Sequence, residues 1–392
     1  MNSKLSSVLS LPAFMLMSCV SEFHAKLSSN DTQVLVIDGS IIENTDAAFY
    51  LSKSFPFDSP GVPEESRNID AKLTIIDSNG NQSQPARNVG KGEYRISVGA
   101  LDDDMAYGIE IEYDGNTYRS ALSKPLRTPE IDSVSFIQPE IEGDVIIRVS
   151  THDNTEGTMF FIWNYTEDWE IRAKYRTTVF YNPENDSYYE NWLAPYYYCW
   201  KKATSDKLLI GSTKFLGENR IINKELYRLD PADERFIEVY SVTLSQKVIS
   251  QGAYEYYQDR IKLNEEMGGL FTPQPSEVNG NISCITNPSK RVMGYVETVK
   301  NTTQKRTFIF QKDISRPDVK IDCPSSIDYF DSDIDRYNAG RLPAEYPILS
   351  SECGCLRPNY GWERPSCTDC RADGYIKGGT KNKPDFWPND HE

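Results

Sequence analysis

Along most of the chain apolar residues recur at alternate positions, in short runs separated by Gly, Pro, Asn and Asp, which is the pattern of half-buried strands. Between residues 33 and 128 the runs are QVLVIDGSII, AAFYLSKS, AKLTIID, GEYRISV and YGIEIEYDGNTYRSALS. In the last of these Asp114-Gly115 separates IEIEY from NTYRS, and glycine supplies the positive φ that a tight hairpin turn demands. Five or six such strands predict an antiparallel β-sandwich of immunoglobulin-like or transthyretin-like type over 33–128. Pro125, Pro129 and the polar stretch LRTPEID then read as a hinge, because proline cannot donate to a sheet ladder. Strand patterns resume in DSVSFIQ, DVIIRVSTH, TMFFIWNYT and WEIRAKY, and later in ERFIEVYSVTLS, GNISCIT, KRVMGYVETV and KRTFIFQ, predicting a second β-rich domain over 129–315. It carries one helix, 251–267, with Ser250 as its cap, Gly268-Gly269 as its stop and Tyr254, Tyr257, Ile261 and Glu265 along one face. From Arg316 the periodicity fades into Cys, Gly and Pro, so 316–392 reads as an irregular tail packed on the second domain. The expected fold class is therefore mainly β.

The first residues follow a different logic. Lys4 precedes an apolar run from Val8 to Met17, about ten residues against the roughly 20 that a spanning helix needs, which marks 1–18 as a signal peptide. The run ends in Leu16-Met17-Ser18-Cys19, which resembles the bacterial lipobox, and Cys19 is the predicted lipidation site. Two or three acyl chains at about 0.8 kcal/mol per buried methylene anchor a protein permanently, so residues 19–32 become a tether and no second membrane segment is required.

Composition narrows the partners. The 392 residues carry 42 Lys and Arg against 58 Asp and Glu, a formal charge of −16, and a phosphate backbone is a poor partner for such a surface. Nucleic acid is excluded. With only 3 His, at positions 24, 152 and 391, histidine-based nucleophilic catalysis rests on His152 alone, and a histidine-rich metal site is ruled out. Paired carboxylates remain open, and Glu167, Asp168 and Glu170 beside Trp163 and Trp169 are the set to test first. No cofactor is implied.

Of 8 cysteines one is spent on acylation, leaving Cys199, Cys284, Cys323, Cys353, Cys355, Cys367 and Cys370 as disulfide candidates in an exported chain. Cys353-Gly-Cys355 with Cys367-x-x-Cys370 also suggests a metal knuckle, but a one-residue gap is too short for a zinc arm and thiolates do not persist outside the cytosol. Disulfides are the favoured reading; seven is odd, so at most three bridges form. Asp331, Asp333 and Asp335 offer oxygen ligands at alternate positions, yet Arg336 and Leu342 stand where a calcium loop needs Gly and Glu, and a solvated acidic turn fits better.

The densest unusual segment runs from Tyr188 to Trp200 and holds seven aromatic residues in thirteen: Tyr188, Tyr189, Trp192, Tyr196, Tyr197, Tyr198 and Trp200. Strand alternation sends about half to each face, so not all can enter one core; they either pack against the second domain and the tail or form a surface for a ligand or partner. Asp132-Ser133-Val134 adds a short sequence of the kind used for O-glycosylation, with Ser133 as the acceptor.

Several pieces occur together: the lipobox at Cys19, the VLVIDG strand, GGLFTPQPSEVNGNI at 268–282, VMGYV at 292–296, and Cys370 with GGTKNKPDFW at 378–387. In these the chain resembles Bacteroidota outer-membrane lipoproteins of domain-of-unknown-function family 4249. The resemblance implies an outer-membrane lipoprotein, more on the cell surface than on the periplasmic face, with a TonB-dependent transporter as partner; it brings no reaction and no catalytic residue. The expectation is a non-enzymatic binding or accessory protein. Surface glycan binding or hydrolysis and a structural role in envelope assembly are its rivals.

Overall fold

The computed structural model describes residues 34–55, 63–191, 193, 195–205, 207–266, 280–317, 332–349, 356–372 and 378–388. Cys19, Trp192, Cys323, Asp331, Cys353 and Cys355 lie outside them, as does the Gly268-Gly269 helix stop.

The protein is mainly β. Strands Leu35–Ile42, Asp46–Lys53, Glu93–Ser97 and Arg87–Gly90 lie side by side in one sheet, and Lys72–Asp77, Tyr107–Tyr113 and Asn116–Ser120 form another. Alternation places Ile37, Phe49, Leu51 and Tyr94 of the first sheet and Leu73, Ile109 and Ile111 of the second in one shared core.

That core is not finished by residues before 128. Ile282–Cys284 pairs antiparallel with Asn116–Ser120, and Val292–Gly294 and Glu297–Val299 pair in parallel with the two halves of Leu35–Ile42. The sequence groups these three strands with the second domain; the structure inserts them into the first unit, where Ile282, Cys284 and Val296 are core residues. The close approach explains Gly294 in VMGYV: at φ +146° a Cβ there would stand 2.2 Å from the Ile37 carbonyl oxygen. Cys284 is accordingly a buried free thiol and not a disulfide partner, because its strand points it into this core, whereas Cys199 and Cys370 lie in the core of the second unit.

The second unit sets the sheet Arg220–Leu229, Val145–His152, Ile131–Ile137 against a five-stranded sheet built on Phe160–Arg172 and Val239–Ile249. Tyr198–Thr204 and Leu209–Ser212 both pair with Phe160–Arg172, and Thr303–Phe310 with Val239–Ile249. TMFFIWNYT and WEIRAKY are thus largely one strand of 13 residues. Its odd positions Phe161, Trp163, Tyr165, Trp169 and Ile171 enter the inter-sheet core, while Phe160 and Ile162 meet the helix Gln251–Glu266 on the other face. Ser250 caps this helix as expected, its Oγ accepting from the Ala253 amide at 3.2 Å. The packed face is Ala253, Tyr256 and Tyr257, so Tyr256 joins the stripe expected from Tyr254 and Tyr257.

The stretch expected to be a hinge is clamped. The Thr128 amide donates to Asn301 Oδ1 at 3.0 Å, Asn301 Nδ2 returns to the Thr128 carbonyl at 2.9 Å, and Gln246 Nε2 and Thr303 Oγ1 both donate to the Pro129 carbonyl. Backbone groups that a free linker would give to water are bound to protein here.

The tail lies over the outer edge of the five-stranded sheet. Trp200 and Thr380 exchange both backbone hydrogen bonds, at 2.8 and 2.9 Å, and Trp387 is buried against Phe308. Cys199 is bonded to Cys370 across 171 residues, and Cys367 is disulfide-bonded as well. Gly379 is required beside this bridge, since a Cβ there would come within 2.8 Å of Cys199 Cβ. Within the tail, prolines conceal one regular element, the hairpin Leu342–Leu349 with Leu356–Glu363; a two-stranded ribbon tolerates them because each strand has a free edge.

Closing so long a loop restrains the unfolded chain strongly. Replacing Cys199 and Cys370 together by Ala is expected to lower the unfolding free energy by about 3–5 kcal/mol and to open the tail to protease, checked by denaturant titration and limited proteolysis without reductant.

Candidate functional site

The aromatic segment divides between two environments. Tyr198–Thr204 is an edge strand of the five-stranded sheet, and its register puts Tyr198 opposite Arg172 and Trp200 opposite Glu170. Tyr196, Tyr198 and Trp200 are half-buried beneath the tail. The Arg371 guanidinium lies 4.2 Å from the Tyr196 ring centroid, itself held by Asp369 at 2.7 Å, and Lys381 sits 5.5 Å over Trp200. Such cation–ring contacts fix the tail's position. These three residues therefore serve tail packing, one of the two uses expected for the segment.

Tyr188 and Tyr189 do something else. The hairpin Val179–Asn182 with Ser187–Glu190 stands off the main sheets and leaves the two side chains 48% and 52% exposed. Around them the rings of Tyr181, Tyr188, Tyr337 and Trp362 form a cluster, with Tyr181 centroids 5.5, 5.9 and 5.7 Å from those of Tyr188, Tyr337 and Trp362. Tyr181 donates to Asp186 Oδ1 at 2.7 Å and Tyr188 donates to Asp333 Oδ2. The bond to Asp186 raises the Tyr181 hydroxyl to about 12, and burial followed by the Asp333 bond raises Tyr188 to about 12. Both stay protonated donors at neutral pH. Tyr337 and Trp362 come from beyond residue 330; composition alone gave no sign that they join Tyr188, since only the fold joins elements so far apart.

Asp333 and Asp335, the described members of the acidic triplet, have separate roles. Asp333 pairs with Arg336 and accepts from Tyr188, while Asp335 accepts from Ser332, the cap of the short helix Asp333–Asn338. Among the described residues no group of three His, Cys, Asp or Glu is placed to hold a metal.

The carboxylates of Phe160–Arg172 do not converge. Glu167 faces the inter-sheet core, where it accepts from Tyr240 at 2.7 Å; Tyr240 is joined to Tyr227 at 2.9 Å, and Arg235 lies 3.6 Å from Glu167. Burial pushes both tyrosine hydroxyls upward, so this chain is an interior brace. Asp168 and Glu170 occupy the opposite face beneath the tail, and Trp387 Nε1 donates to Glu170 at 3.4 Å. Neither acid is open to a substrate. Burial raises the Asp168 pKa against the opposing pull of Lys202 and Arg306, and the Ser241 hydroxyl, directly across the ladder, is buried with no partner. His152 Nδ1 meets Asp132 Oδ1 at 2.7 Å, its one hydrogen-bonding residue among those described, while Ser133 is half-buried on the strand Ile131–Ile137.

An acid whose pKa rises on folding weakens the native state fully above the raised value; the penalty shrinks as pH falls through that value and is gone below the group's ordinary range. Asp168→Asn is thus expected to be at least as stable as the parent at pH 7, with its advantage shrinking on acidification, measured by urea unfolding across pH. Greater stability of the parent at pH 7 would contradict the assignment.

No curated protein matches the chain. The family model described as Domain of unknown function (DUF4249) matches residues 20–305, which spans the first unit with its returning strands and nearly all of the second up to the tail. The protein belongs to that family.

Proposed function

We propose that the protein is a lipid-anchored binding or accessory protein of the outer membrane, held by Cys19 and presenting Tyr188 and Tyr189, with Tyr337 and Trp362 beside them and Tyr181 packed beneath, to a TonB-dependent transporter. The carrying observation is the exposed pair Tyr188 and Tyr189 on a hairpin braced from behind by Phe180, whose ring lies 5.6 Å from that of Tyr189. Exposed tyrosines combine contact area with a polar tip and lose little conformational freedom on binding, which suits a protein interface. Disulfides at Cys199–Cys370 and Cys367 suit an oxidising compartment, in keeping with the leader and lipobox. A second reading, glycan binding, draws support from Asp333 at the edge of the rings, because sugars stack on aromatic faces and donate hydroxyls to neighbouring carboxylates. A structural envelope role is the third.

Two outcomes test this. Cys19→Ala is expected to move the protein from the membrane to the soluble fraction. Mild-detergent purification of the parent is expected to recover a barrel transporter, and the double change Tyr188→Ala, Tyr189→Ala to reduce that recovery at least about tenfold, the loss of two interface anchors. Unchanged recovery would remove the ring cluster from the interface; binding on a glycan array that the same change abolishes would favour the second reading.

A further inference from the structure

The outer face of the five-stranded sheet, where the helix Gln251–Glu266 and the strand Leu35–Ile42 approach it, holds a cleft of about 720 Å³. That volume lies in the range of small-molecule sites. Apolar side chains line part of it: Ile162 from the sheet, Leu208 just before the strand Leu209–Ser212, and the Tyr257 ring from the helix. Beside the neutral Asn164 and Ser205, its charged groups are mostly cationic: Lys247, Lys207 and Arg260 against the single lining carboxylate of Asp38. In a chain of net charge −16 this local excess is a departure from the surface at large.

None of the three cations forms an ion pair with a described carboxylate. Lys247 uses one donor, to Ser40 Oγ at 2.7 Å, and an ammonium carries three. Arg260 lies 5.8 Å from the Tyr256 ring centroid and shares a hydrogen bond with the Tyr256 side chain, and its planar fork carries five donors, so donors remain for an anion in the cleft. Burial lowers the Lys247 pKa even though Asp38 and Glu297 pull the other way, so neither acid compensates for the water that the ammonium has lost. The register explains why this lysine sits here: Gln246 enters the inter-sheet core to bind Trp163, which turns Lys247 to the opposite face. A half-buried cation with unused donors costs free energy unless an anion completes it.

We propose that this cleft binds a small organic anion, a carboxylate, sulfonate or phosphate head joined to an apolar or ring body, with Lys247 and Arg260 holding the head and Tyr257, Ile162 and Leu208 the body. The site is separate from the ring cluster near Trp362, and occupancy would bridge the two units through Lys247 and Ser40.

The test uses the full mature chain and a matched pair of fluorescent probes, the anionic 8-anilinonaphthalene-1-sulfonate and the uncharged N-phenyl-1-naphthylamine. The sulfonate is expected to bind saturably at one site, with Lys247→Met and Arg260→Gln each weakening it about tenfold, which corresponds to about 1.4 kcal/mol. Lys290→Met, in a depression elsewhere on the first unit, is expected to leave it unchanged, and the uncharged probe is expected to bind parent and Lys247→Met alike. Folding of each variant is verified by its thermal transition; should Lys247→Met not fold, Arg260→Gln, on the half-buried helix face, carries the test alone. Absence of saturable sulfonate binding, or affinity within about twofold of the parent in folded variants, would overturn the proposal.

Discussion

The structure depends on the return of residues 280–301 to the strand Leu35–Ile42. Parallel strands cannot be joined by a tight turn, so each such pairing requires a long excursion of chain. Here the excursion takes in the rest of the first unit and almost the whole of the second. Leu35–Ile37 receives Val292–Gly294 and Ser40–Ile42 receives Glu297–Val299, with Gly39 between the two halves. Past the last strand, Lys300 reaches Glu43 at 3.2 Å and Asp103 at 2.8 Å, so charge as well as backbone pairing fastens the segment. The first unit thus takes its final strands from chain that has already passed through the second.

Two consequences follow for function. With Thr128 and Asn301 locked together, the units meet along a fixed seam, and the cleft beside Lys247 has walls from both. A site built on packed strands and a helix holds its geometry better than one on loops. On the far side of the second unit, the Cys199–Cys370 bridge and the burial of Trp387 fasten the tail over Asp168 and Glu170. The tail removes those acids from solvent, while the hairpin bearing Tyr188 and Tyr189 stays in it.

Much of this was legible in the order of residues, and what was not has physical causes. The strands Asp46–Lys53 and Glu93–Ser97 show clean alternation because one of their faces meets water, so AAFYLSKS and GEYRISV could be read directly. The helix after Ser250 was legible through its cap and its tyrosines. Phe160–Arg172 was harder: the opposing sheet, the helix and the tail bury both of its faces, so the pattern of two disappears and acids occur inside it. GNISCIT and KRVMGYVETV read correctly as strands, but nothing local says which sheet a strand joins, and a partner some 250 residues away leaves no periodic trace. Cys284 was grouped with the other cysteines for the same reason. The aromatic segment was visible as a density of rings; that Tyr188 would meet Trp362 while Trp200 met Lys381 followed only from the fold. The cationic cleft drew on Lys207, Lys247 and Arg260, three residues ordinary in their local context.

The most direct measurement asks whether the first unit can form without its returning strands. Residues 33–128 produced alone lack Ile282, Cys284 and Val296 from the core, and they are expected to show no cooperative thermal transition, whereas addition of a peptide covering 280–301 restores one. A sharp, reversible melting of 33–128 by itself would contradict the account.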